Sequence, residues 1–90
     1  MLKVTVVESS DSSVRLRAEG RLTGPSIEEL RESCELHALA DGMRLTLDLG
    51  DVSFADAAGI KLLKHLRSRK VAILNLAPYL ALQLRVAESR

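Results

Sequence analysis

The sequence predicts an α/β fold whose sheet mixes antiparallel and parallel strands. Three observations carry that reading. Two segments near the N-terminus alternate apolar and polar residues, which marks a hairpin. The apolar period becomes helical after Ser26 and again after Ala57. A short apolar run, Val71 to Leu76, follows the second helical stretch, and strand, helix, strand in that order make a right-handed parallel crossover.

Leu2, Val4 and Val6 alternate with Lys3 and Thr5, and Val14, Leu16 and Ala18 alternate with Arg15, Arg17 and Glu19. The polar ESSDSS between them is a turn, so the pair reads as an antiparallel hairpin with one face in water. Gly20 to Pro25 breaks the period. Ser26 followed by Glu29 has the spacing of a capping box, in which each side chain bonds the other's free backbone N–H, so a helix is expected to start there. Ile27, Leu30, Cys34 and Ala38 form one stripe of that helix, which makes Cys34 a core residue rather than a reactive thiol. Leu36 falls about opposite the stripe, either exposed at an interface or covered by the end of the helix, and a lone exposed leucine there needs no explanation.

Asp41-Gly42 ends the helix, and Met43, Leu45, Leu47 and Leu49 alternate with Arg44, Thr46 and Asp48 as a third strand. The turn Phe54-Ala55-Asp56-Ala57-Ala58-Gly59 then leads into a second helix. Gly59, Leu62, Leu63 and Leu66 share one of its faces, and Lys61, Lys64, His65 and Ser68 share the other. The last segment, NLAPYLALQLRVAESR, alternates like a strand but has the composition of a helix. Pro78 suits a first helical turn, so a helix is expected. It would be apolar on two sides, Leu80/Leu84/Ala87 and Leu82/Val86, and the surplus side would be buried by a homodimer or another partner.

Composition narrows the function. Hydrophobic residues at 47% and charged residues at 28% are too apolar for disorder, and 90 residues suffice for one domain, expected to span 1–90. A net charge of +1, with Tyr79 and Phe54 as the aromatics, offers nucleic acid neither a basic field nor a stacking platform. No run of about 18 apolar residues exists to insert into a membrane, and the N-terminal apolar run is too short for a signal peptide. A cytoplasmic location is therefore expected, and the single Cys34 agrees with a reducing compartment.

The pool of groups for catalysis is thin. His37 follows Cys34 on the first helix and His65 lies on a basic face, which is no zinc set, since zinc wants about three or four ligands at close spacing. The phosphate-loop, dinucleotide and nucleophile-elbow motifs lack their defining residues. No cofactor and no enzymatic activity are expected; an enzyme reading would require Asp48, Asp51 and Asp56 to converge on a metal. What remains is the turn at Asp56, which joins a buried strand to a helix N-terminus. Free N–H groups and the helix dipole favour an anion there. Asp56 is read either as a plain cap or as part of a functional corner.

The run LTLDLGDVSFADAAGIKLLKHL resembles the hallmark of the STAS family, an apolar strand followed by Asp-Ser-Ser-Gly or Asp-Thr-Ala-Gly and a helix opening with Leu or Ile. GRLTGPSIEELRE is similar to the family's Gly-x-[Leu/Ile]-Asp segment leading into the first helix. The resemblance implies the STAS fold, a mixed sheet of about four strands with three helices mainly on one face. It also implies a bacterial anti-sigma-factor antagonist, a regulator of transcription whose serine at this helix start is phosphorylated by an anti-sigma factor that is itself a kinase. Asp56 and Gly59 match that pattern, but Ala57 and Ala58 occupy the hydroxyl positions, so phosphorylation at the usual site is lost. Thr23 stands where antagonists carry an aspartate. Thr23, Ser26 and Ser53 are nearby hydroxyls with structural roles available to each.

The expected function is a constitutive docking module that presents Thr23, Asp56, Ala57, Ala58, Gly59, Lys61, Lys64 and His65 to an anti-sigma-factor kinase or a protein like it. The basic residues favour an acidic partner, or form a solvated helix face. The alternative is a small subunit bound to the ATPase of a lipid-trafficking ABC transporter, because Asp-x-Ala-Gly-Ile followed by Leu-Leu-x-His-Leu also resembles that branch.

Overall fold

A computed structural model describes residues 2–37 and 42–89. Its elements run β1 (Leu2–Ser9), β2 (Ser13–Leu22), α1 (Pro25–His37), β3 (Arg44–Ala55), α2 (Ala57–Ser68), β4 (Ala72–Leu74) and α3 (Pro78–Glu88). The C-terminal segment, which alternates like a strand, is a helix from Pro78, as expected. The proposed stripe residue Ala38 and the helix-ending Asp41 lie outside the described residues.

The sheet order is β1-β2-β3-β4. β1 and β2 form the expected antiparallel hairpin, while β2 with β3 and β3 with β4 are parallel, each joined by a helical crossover. The α/β fold with a mixed sheet and three helices is thus present. Val14, Leu16 and Ala18 of β2 and Leu45, Leu47 and Leu49 of β3 point into the core, where α1 packs on β1 and β2, α2 on β3, and α3 on α2. The alternate residues face solvent: Arg15 pairs with Glu8 at 3.9 Å and Arg17 with Asp51 at 3.3 Å. Period-two alternation therefore separates a leucine-rich layer from a charged one.

Several expectations are corrected at element ends. α1 begins at Pro25, which places Ser26 inside the first turn and buried, so it is not the cap of a capping box; a proline with fixed φ starts the helix instead. Val6 is 42% exposed: it lies toward the end of the edge strand, next to the register slip that leaves Val7 without a partner. β3 runs on to Ala55, so Phe54 and Ala55 are strand rather than turn. β4 is shorter than Val71 to Leu76: Asn75 turns to φ 59 and ends it, and Val71 closes the preceding helix. Cys34 is fully buried beside Leu30 in the core; burial, and then the neighbouring Glu35, push its thiol up to about 12. Leu36 is 74% exposed.

Candidate partner-docking site

The corner where β3 meets α2 is built from small residues because the helix starts against backbone. Ala55 is buried at the end of β3, and the Asp56 N–H donates to the Leu22 carbonyl at 3.3 Å, which ties the corner to the end of β2. Asp56 takes an extended conformation and caps α2: its Oδ1 accepts the Gly59 N–H at 2.8 Å, and its carbonyl accepts the Ile60 N–H at 2.9 Å. Gly59 is buried, and a Cβ there would lie 2.5 Å from the Leu22 carbonyl oxygen and 3.2 Å from the Ala55 Cβ. Only glycine lets the first turn of α2 rest on β2.

Ala57 and Ala58 are both exposed on that turn. The structure therefore brings Asp56, Ala57, Ala58 and Gly59 to one surface corner, with Gly59 beneath and the alanines on top. Thr23 follows Leu22, to which the corner is bonded, and its carbonyl accepts the Ser26 N–H at 3.1 Å at the start of α1. Lys61, Lys64, His65 and Ser68 line a shallow groove along the outer side of α2. Ser53 is exposed, its hydroxyl donating to the Gly20 carbonyl at 3.4 Å.

The acidic residues named as a metal alternative are each engaged elsewhere. Asp48 accepts the Gly50 N–H and the Asn75 side-chain amide, which together hold its carboxyl below the ordinary carboxylate range. Asp51 pairs with Arg17, and Asp56 is the cap. Among the described residues no group of three or more His, Cys, Asp and Glu side chains could hold a metal ion.

Part of this surface is legible only in the structure. A groove between α2 and α3 is lined by Asp56, Ala57, Ile60, Gln83, Val86 and Ala87, and it adjoins the corner. Tyr79 is 48% exposed at the start of α3, and its hydroxyl donates to the Ser53 carbonyl. The signal for the groove was the second apolar side of the last helix; nothing in the local pattern marked Tyr79.

A family model described as "Mlab, STAS domain" matches residues 5–88, nearly the full length described. The chain belongs to the STAS family. That membership agrees with the mixed four-stranded sheet, the three helices and the order of elements found here. No curated protein matches the sequence. STAS domains are in general interaction modules, which gives protein binding as the function class. Among the described residues no helix is long and apolar enough to cross a membrane.

Proposed function

We propose that this STAS domain is a non-catalytic, cytoplasmic docking module resembling an anti-sigma-factor antagonist, folded as one domain over residues 1–90. It grips a protein partner through Thr23, Asp56, Ala57 and Ala58, with Gly59 buried beneath them to seat the turn and Lys61, Lys64 and His65 alongside. The observation that carries this is the exposed alanine pair at the start of α2, held rigid by the Asp56 cap and by the Gly59 contact with Leu22. A rigid, small-residue corner admits close approach by another protein, and its one carboxylate, Asp56, is engaged in capping α2.

Alanine has no oxygen to accept a phosphoryl group, so docking at this corner is constitutive where a hydroxyl would make it switchable. The module needs no cofactor, binds no nucleic acid and does not insert into a membrane. A second reading has a specific observation in its favour. The matching model carries the description Mlab, and Asp56 to Ile60 with Leu62 to Leu66 resemble the branch that serves lipid-trafficking ABC transporters, so the partner would be a transporter ATPase.

The test is to copurify the protein from its source and identify what binds. A sigma-regulating kinase supports the first reading and an ATPase the second; a bound species lost on Ala57→Glu supports the corner in both. Incubation with ATP and the captured kinase, followed by intact-mass measurement, is expected to leave the mass unchanged. An added phosphate on Thr23, Ser26 or Ser53 would overturn constitutive docking.

A further inference from the structure

α3 keeps an apolar ridge in water. Tyr79, Leu82 and Val86 recur at helical spacing and are 48%, 60% and 45% exposed, while Leu80 and Leu84 of the same helix are fully buried. The ridge is continuous with the docking corner, because Val86 and Gln83 share a groove with Asp56, Ala57 and Ile60. It is also anchored: the Tyr79 hydroxyl donates to the Ser53 carbonyl at the end of β3, which removes rotamer freedom before any partner arrives. Aromatic and aliphatic anchors fixed in advance beside a groove are what binding hot spots are made of.

Charge says what would cover it. The net charge of +1 hides a segregation: from Ala57 through Ala87 the chain has no Asp or Glu. In that stretch Arg67 pairs with Glu88 and Arg69 with Glu35. Lys61, Lys64 and Arg85 have no salt-bridge partner among the described residues. An apolar ridge on α3, in a stretch whose charged side chains without a salt bridge on α2 and α3 are cationic, complements a segment that is apolar on one side and acidic on the other.

We propose that the α2–α3 groove and its ridge seat an acidic amphipathic helix from the protein partner. The helix lays apolar residues on Tyr79, Leu82 and Val86 and sets carboxylates against Lys61, Lys64 and Arg85. This rests on the corner being a docking surface, and it adds the chemical class of what docks and the residues that select it. A second copy of the chain fits less well. Ridge against ridge would bring these cations together, and the acidic face of α1, which a head-to-tail contact would use, has Glu28 and Glu35 already tied to Arg31 and Arg69.

The experiment is selection of a displayed library of random, helix-length peptides on the immobilised protein. Enriched peptides are expected to be acidic, with apolar residues at spacings of three and four. Their affinity should fall at least about tenfold on Leu82→Gln with Val86→Gln, and again on Lys61→Glu with Lys64→Glu. Both pairs are on the surface and helix-compatible, and circular dichroism checks that the fold is kept. Enrichment of neutral or basic peptides, or of none, would overturn the proposal. Peptides lost on Ala57→Glu but indifferent to the α3 pair would retain the corner and sink the groove. Peptides indifferent to all the variants would sink both. A free protein that light scattering shows to be a dimer, made monomeric by the α3 pair, would assign the ridge to a second copy instead.

Discussion

Asp56 and Gly59 are bound together at the start of α2: the aspartate Oδ1 accepts the glycine N–H at 2.8 Å, while the glycine's missing side chain leaves room for the Leu22 carbonyl beneath it. One residue satisfies the helix end and the other sets how closely the helix sits on the sheet. The corner's shape depends on both.

Gly59→Ala should therefore destabilise the protein even though alanine favours helix by up to about 1 kcal/mol. The new Cβ would meet backbone 2.5 Å away, and such overpacking costs about 1–3 kcal/mol. We expect thermal melting to fall by roughly 10 °C. A rise would mean that α2 can lift off β2 at no cost.

Asp56→Ala removes the cap and should cost about 1 kcal/mol, whereas Asp56→Ser should retain most of it. Chemical denaturation of the two variants measures the difference. Equal losses would show that the hydrogen bond to Gly59 contributes nothing beyond sterics.

The C-terminus of α2 closes with the Val71 N–H donating to the Leu66 carbonyl at 3.1 Å and the Lys70 N–H to the Arg67 carbonyl at 3.0 Å. Lys70 sits between them at φ 68, the left-handed position that glycine occupies in this closing motif. Lys70→Gly should stabilise by about 0.5–1 kcal/mol, the relief of strain outweighing the added freedom of the unfolded chain. Denaturant midpoints of the two proteins test it.

Cys34, buried and with its thiol pushed up to about 12, should resist alkylation in the folded state. At mildly alkaline pH the thiolate fraction is about a thousandfold below that of a free cysteine. Labelling followed by mass should show modification only once denaturant unfolds the chain. Rapid native labelling would place Cys34 outside the core.

The parts of the fold legible in the sequence are those where one face is wet. The hairpin and the crossover were readable because Arg15, Arg17 and Glu19 interrupt the apolar residues of β2, and because Lys61 and His65 leave a clean apolar face on α2. The end of β3 was not. Its register with β2 shifts between Arg17 and Glu19 and again between Gly20 and Arg21, so alternation fails there and Phe54 and Ala55 look like a turn. The Asp56 corner was legible as a motif and a cap, because helix N-termini have a chemistry that sequence carries. The α2–α3 groove was half legible: Leu82 and Val86 stood out as surplus, but their place beside Ala57 depends on how two helices pack.

The most direct test of the account is the calorimetric affinity of the purified partner for wild-type protein and for Ala57→Glu. Ala57 is exposed, and glutamate in the first turn of a helix is favourable, so the variant should melt at or above the wild-type temperature. Docking through the corner predicts a loss of at least about a hundredfold, from bulk and from an unpaired buried charge. Wild-type affinity in the folded variant would contradict it.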